Sequence, residues 1–275
     1  MLEIPESSTI ARQINATLTG RVNTCAQANA SPHRFAFYHG DPEGYAPLLQ
    51  GRAVTGAQAY GGMVEISMGD ARLLLGDGAN LRYITPGSAL PAKHQLLIGF
   101  DDRSALVCTV QMYGGIWAFL QGELDNPYYE AARGKPSPLT EAFDAAYFRT
   151  LVAAAPASLS IKGLLATEQR IPGLGNGVLQ DILLRARVNP RTKVASLSGL
   201  EVGALYESVR KTLAEMTALG GRDTEKDLFG HSGGYPTRLS AKTAGMACPQ
   251  CGGPVVKQAY MGGSVYFCTE CQPLR

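Results

Sequence analysis

Apolar residues recur along the chain with more than one period, and each period predicts a different kind of element. Pro5 and Glu6 open a helical stretch in which Ile10, Ile14 and Leu18 share one face, and Gly20 ends it. From Arg21 to Leu120 the texture changes to short strands at 63–68, 72–75, 81–85, 95–100, 105–111 and 116–120, split by Gly, Asp and Pro. Regular short strands with tight turns predict a β-sandwich or flattened barrel. Met112-Tyr113-Gly114-Gly115 reads in two ways: as a hairpin turn, or as an apolar tip able to wedge into a stack of bases.

Residues 125–138 form a short polar stretch with three prolines, which reads as a linker. Beyond it the period becomes helical. Ser198 and Glu201 form a capping box, with Leu197 and Val202 placed as its hydrophobic staple. Val202, Leu205, Val209, Leu213 and Met216 make a single core stripe that Gly220-Gly221 stops. A second helix carries Val178, Leu179, Ile182, Leu183 and Ala186 on its buried face, with Asp181 early and Arg185 and Arg187 late, as the helix dipole favours. Before it runs Ile171-Pro172-Gly173-Leu174-Gly175-Asn176-Gly177. No strand precedes this run, which argues against a dinucleotide site. The better expectation is a turn between helices that brings Gly173 and Gly175 close to a nucleic-acid phosphate, with Asn176 adding a side-chain contact.

The C-terminus allows the fewest readings. Cys248-Pro249-Gln250-Cys251 and Cys268-Thr269-Glu270-Cys271 are two C-x2-C pairs sixteen residues apart. Between them Val255-Val256 and Val265-Tyr266-Phe267 flank the turn-prone Met261-Gly262-Gly263-Ser264. Two tight turns joined by a hairpin supply four thiolates, so a single structural Zn2+ on a ribbon is expected in preference to two disulfides. So small a unit depends on its metal to fold.

At 275 residues with 45% hydrophobic and 17% charged residues, the chain suits one or two compact domains plus the ribbon. No apolar run approaches a membrane span, and Glu3, Glu6 and Arg12 argue against a signal peptide. Cys25 and Cys108 are expected as buried thiols in a reducing cytoplasm. The net charge of +2 conceals an asymmetry: residues 1–130 hold 8 Lys/Arg against 12 Asp/Glu, and residues 131–275 hold 17 against 11. A polyanion partner for the second half follows as an expectation. The four histidines show no spacing that suggests a metal pair or catalytic dyad.

Taken in order, Glu3-Ile4-Pro5-Glu6, the run Ile171–Pro190, the loop Gly220–Tyr235 and the terminal cysteines resemble the formamidopyrimidine-DNA glycosylase/endonuclease VIII family. The resemblance implies an α+β architecture. A helix plus β-sandwich would occupy 1–125, a linker 126–139, a helix–two-turn–helix domain 140–244 and a zinc ribbon 245–275. It further implies a monomer that clamps double-stranded DNA bearing a damaged base or abasic site, in the cytoplasm on the nucleoid. In that frame Glu3 matches the catalytic glutamate, Asn176 and Lys162 the DNA-contacting pair, and Cys248, Cys251, Cys268 and Cys271 the metal ligands. Glu225, Asp227 and Tyr235 would face an extruded base.

The chain departs from the family pattern at four places that would face DNA. Leu2 stands where the nucleophilic proline belongs, Gly61 or Gly62 where a lysine does, Tyr113 for the void-filling arginine and Gly263 for the ribbon's arginine. Two expectations follow. One is a glycosylase that hydrolyses the N-glycosidic bond with Glu3 as general base or acid, Glu6 either assisting or capping its helix, and strand cleavage doubtful. The Met1 α-amine is the remaining candidate for a covalent route. The other is a non-catalytic protein that binds damaged or abasic DNA. A ribbon serving protein–protein contact is a poorer third.

Overall fold

A computed structural model describes residues 2–274. Helix α1 (Ile4–Leu18) carries Pro5 in its first turn and buries Ile10, Ile14 and Leu18 against the sheet that follows. That sheet comprises β1 (Asn23–Ala28), β2 (Ala36–Tyr38), β3 (Gly56–Tyr60), β4 (Met63–Met68), β5 (Ala71–Ile84), β6 (Leu96–Phe100) and β7 (Ala105–Leu120), with the short helix α2 (Tyr45–Leu49) inserted. The strand order is β1-β6-β7-β5-β4-β3, with β2 added parallel to β7. One end of the β5–β7 ladder carries β6 and the other carries β4, so one continuous sheet supplies both layers of a sandwich.

This corrects two expectations. The strands at 72–75 and 81–85 are parts of one strand, and so are those at 105–111 and 116–120. Met112-Tyr113-Gly114-Gly115 is the middle of β7 and not a hairpin turn. The glycines are there because the strands cross closely. A Cβ at Gly78 would overlap the Tyr113 carbonyl, and one at Gly114 would lie 2.9 Å from the Ala79 nitrogen. The register shifts between Asp77 and Ala79, so the ladder bends at this point. Cys25 is also exposed, because on edge strand β1 it is Ala26 and Ala28 that pack on the core; Cys108 is buried as expected.

The segment expected as a linker contains helix α3 (Pro127–Gly134), whose N-terminus is capped by the Asn126 side chain accepting from the Tyr128 and Tyr129 amides. Tyr129 and Ala132 pack on Phe119 and Leu74, covering part of the outer sheet face. Helices α4 (Ala145–Ala154), α5 (Ile161–Ala166), α6 (Asn176–Ala186) and α7 (Gly199–Ala218) share a second core. The Ser198–Glu201 capping box opens α7, and Leu205, Val209, Leu213 and Met216 are buried along it. Strands β8 (Val255–Tyr260) and β9 (Gly263–Cys268) form the terminal hairpin. Asp181 ties the approach to that hairpin down: its two oxygens accept from the Arg238 and Leu239 amides at 2.9 Å each. No helix among the described residues is long and apolar enough to cross a membrane.

The sandwich and the helical body meet at glycine-to-glycine contacts. Gly173 has φ +77°, and a Cβ there would overlap the Gly61–Gly62 peptide. Gly173→Ala should therefore destabilise the protein by at least about 1–3 kcal/mol, read as a shift in the denaturant midpoint. An unchanged midpoint would show that the junction is not close-packed.

Candidate active site at the domain junction

Glu3 is the hinge of this junction. Its backbone is extended before α1, and its side chain crosses to the helical body. Oε1 accepts from the Gly177 amide at 2.9 Å and Oε2 from the Val178 amide at 2.8 Å. Helix α6 has no side-chain cap of its own at Gly175, so a carboxylate 174 residues upstream supplies it. The neighbouring main chain is fixed as well: the Leu2 amide donates to the Asp77 carbonyl and the Ile4 amide to the Gly173 carbonyl. Glu3 is only 4% exposed.

The glycine run also has a structural role at this junction. A Cβ at Gly175 would stand 2.6 Å from the Glu3 carboxyl carbon, and one at Gly177 would overlap the Arg222 guanidinium. Gly173 faces Gly61–Gly62. The glycines give room to protein groups, and two amides at the helix start are taken by the protein's own Glu3.

Arg222, the residue that sequence reasoning missed, completes the cluster. It is 3% exposed. Its Nε donates to Glu6 Oε1 and its Nη2 to Glu6 Oε2, both at 2.9 Å, while Nη1 lies 3.6 Å from Glu3 Oε1. Glu6 also accepts the Arg222 main-chain amide at 3.1 Å, so it pins the loop after α7 instead of facing a cleft. Nothing local in the sequence marks Arg222, because its bidentate partner lies 216 residues away. Burial pushes the Glu3 carboxyl above the ordinary carboxylate range; Arg222 opposes this, Glu6 adds to it, and the two amides oppose it again.

The loop expected to face an extruded base is docked on protein. Tyr235 is 4% exposed and packs in the helical core, where its hydroxyl pairs with Asp181. Asp227 accepts from the Phe229 and His231 amides and from Gln13. Leu228 is fully buried in the sandwich core, and its carbonyl accepts the Tyr83 amide. Glu225 lies 3.9 Å from Arg222 and keeps partial exposure. Space beside Glu6, Arg82 and Glu225 amounts to only about 10 Å³. On the opposite side of Leu2 and Glu3 a cleft of about 550 Å³ opens between the bodies, lined by Gly62, Asp77, Tyr113, Trp117 and Gln169 among others. Met112 and Tyr113 are exposed, at 69% and 39%, and Tyr113 lies on this cleft.

Lys162 and Asn176 point at the ribbon. Lys162 Nζ donates to the Tyr260 carbonyl at 2.6 Å, and Asn176 Nδ2 to that of Ser264 at 2.8 Å. Lys162 is 4% exposed, and burial lowers the pKa of its amine. A Cβ at Gly263, the position expected for an arginine, would sit 3.6 Å from Lys162 Nζ and 3.8 Å from Asn176 Nδ2, in ordinary contact with both. Both side chains thus hold the hairpin tip on α5 and α6.

The four cysteine sulfurs lie within 4.8 Å of one another, with 3.9 Å between Cys248 and Cys271 and 3.5 Å between Cys251 and Cys268. Zn–S bonds of about 2.3 Å in a tetrahedron require sulfurs roughly 3.8 Å apart, so the donor set fits zinc. Val255, Cys248, Cys268 and Cys271 pack with Leu184 and Leu239 as a small core.

Two measurements check these readings. Arg222→Met leaves two buried carboxylates uncompensated and should cost about 3–5 kcal/mol. The deficit should shrink as pH falls toward the ordinary carboxyl range, where Glu3 takes up a proton. A loss below about 1 kcal/mol, typical of exposed pairs, would contradict the cluster's weight. Metal removal by a chelator should release roughly one zinc per chain and melt β8–β9, seen by hydrogen exchange, while α7 stays protected. Unchanged protection of the hairpin would show that the metal is dispensable to it.

No protein-family model matches the chain. Known proteins do. A formamidopyrimidine-DNA glycosylase of Geobacillus kaustophilus is 27% identical over 99% of this chain and 100% of its own length. That of Thermus thermophilus is 28% identical, over 99% and 98%. The crystal structure of the MutM (Fpg) protein of Thermus thermophilus superposes with a TM-score of 0.82 at 25% identity, covering 99% of each chain. Lactococcus lactis Fpg in complex with abasic-site DNA shares the fold, with a TM-score of 0.85 at 22% identity over 98% and 99%. With the order of sandwich, helical body and four-cysteine hairpin preserved from end to end, the chain is similar over its whole length to the formamidopyrimidine-DNA glycosylases.

Proposed function

We propose that this protein binds damaged duplex DNA in its interdomain cleft and hydrolyses the N-glycosidic bond of an extruded base, with Glu3 as general base. The observation that carries the reading is Glu3 itself. A carboxylate buried at the wall of a 550 Å³ cleft is held by two amides and an arginine that favour its ionised form. An oxocarbenium ion developing at the sugar C1′ meets a fixed negative charge there. A carboxylate with a raised pKa also takes a proton from water more readily. The relatives' name, formamidopyrimidine-DNA glycosylase, supports the same chemistry. The Fpg complexes with abasic and damaged-base DNA support the partner. The site of action is chromosomal DNA in the cytoplasm, reached as a monomer, with one structural Zn2+ on the four cysteines holding the hairpin.

A covalent route has less support. Leu2 is a buried apolar residue whose main-chain amide is committed to Asp77, and the Met1 amine lies outside the described residues. Leu2 therefore supplies no amine, and the product is an uncut abasic site. One observation favours the second reading, a non-catalytic binder: both Glu3 oxygens already serve as the α6 cap.

Single-turnover assays on a panel of lesion duplexes separate the two. Glu3→Gln should lose base release by at least about 100-fold, the order contributed by general acid–base catalysis, with DNA affinity nearly unchanged. Borohydride should trap no covalent adduct. Full activity in Glu3→Gln removes Glu3 from the mechanism, and salt-sensitive binding without product establishes the binder.

A further inference from the structure

We infer that the cleft beside Trp117 is the pocket that receives the extruded base, with the indole face as its stacking platform and the Asp77 carboxylate at its wall. The inference rests on the reading of the protein as acting on a flipped base, and it assigns a place to that base. Two sides of Leu2 and Glu3 are available. On the side of the loop after α7, Glu6, Arg222, Glu225 and Arg82 fill the space, and about 10 Å³ remains. On the other side the cleft holds about 550 Å³ and reaches Glu3 directly. A planar base can enter only the second.

The strands are arranged to present the indole flat. Trp117 and residue 115 share the outer face of β7, because side chains alternate along a strand. Residue 115 is glycine, and a Cβ there would overlap the Trp117 ring. Opposite it in the ladder stands Gly76, where a Cβ would come within 3.3 Å of the ring. Two facing glycines thus let the indole lie down along the strand, with its edge supported by Met63. Trp117 keeps partial exposure, and it is the cleft that it meets. Tyr113 and Tyr128 extend the aromatic wall, both exposed.

Asp77 stands at the same wall. Its backbone is left-handed (φ 55°) at the bulge of β5, and its carbonyl accepts the Leu2 amide, so the segment is fixed relative to Glu3. The Asp77 side chain is exposed to the cleft and carries two acceptors. A ligand that stacks on Trp117 and offers an N–H to Asp77 is a nitrogen heterocycle. Every nucleobase has the face, and those with an amine or ring N–H have the edge.

Trp117 is the only tryptophan in the chain, so its emission reports the pocket directly. The probes are duplexes each carrying one oxidised or alkylated base, and the same duplex with tetrahydrofuran at that position. At saturation, at least one damaged-base duplex should quench Trp117 at least about twofold more than the tetrahydrofuran duplex, as expected where a base stacks on the ring. Trp117→Leu should raise the half-saturating concentration for that duplex on the order of tenfold, the scale of one lost base–aromatic stack. Trp117→Phe should keep most of the affinity, and both variants should bind tetrahydrofuran duplex like the wild type. Equal quenching by all duplexes, or equal weakening on both classes, overturns the assignment. Base release is followed on the same samples. Release without differential quenching removes this pocket and leaves hydrolysis standing; differential quenching without release does the reverse.

Discussion

Glu3 joins two bodies that also meet where Gly173 packs on Gly61–Gly62 and where Arg222 pairs with Glu6. It starts α1 on the sandwich side and caps α6 on the helical side, where the first amides would otherwise be orphaned. A charge at a partly buried helix terminus contributes up to about 2 kcal/mol, a large share of the net stability of a protein domain. Arg222 balances the buried negative charge of Glu3 and Glu6 and brings the loop after α7 into the same cluster. The candidate chemical group and the structural keystone are thus the same atom pair. That coincidence explains why the cleft is preorganised: the group facing it cannot move without opening the interface.

Glycine shapes everything around this point. Gly173 lies against Gly61–Gly62, Gly175 against the Glu3 side chain and Gly177 against Arg222. On the sandwich side, Gly78 and Gly114 let β5 and β7 cross, and Gly76 and Gly115 let Trp117 lie flat. Where the family pattern places a lysine, Gly61 and Gly62 pack on Pro172–Gly173 and on the Leu2 carbonyl, and where it places an arginine, Gly263 lies beside Lys162 and Asn176. The cleft is lined by Trp117, Tyr113 and Tyr128, and none of its described lining residues is a lysine or an arginine.

How much of this was legible depended on whether the cause was local. The cysteine pairs and their hairpin were, because four thiolates at that spacing bring their partners with them. The capping box of α7 and its apolar stripe were, because a helix writes its period into sequence. Of the two readings of Met112–Gly115, the hairpin turn fails, since a glycine pair at a strand crossing looks like one in a loop. The run 171–177 was read as a phosphate grip because the sequence shows open helix amides and hides the carboxylate that fills them. Arg222 and Trp117 went unremarked for the same reason: one takes its meaning from Glu6 and the other from Gly76, both remote in the chain. The loop 222–235 is expected from the resemblance to face an extruded base, yet Leu228 and Tyr235 anchor it in two different cores.

The most direct test of the central claim is the pH dependence of base release under single-turnover conditions. A Glu3 carboxylate acting as base, with its pKa raised by burial, gives a rate that rises with pH through a midpoint above about 4.3, the ordinary glutamate value. Arg222→Gln, which removes the opposing positive charge, moves that midpoint higher still. A rate that falls through this range, or a midpoint indifferent to Arg222, would contradict the account.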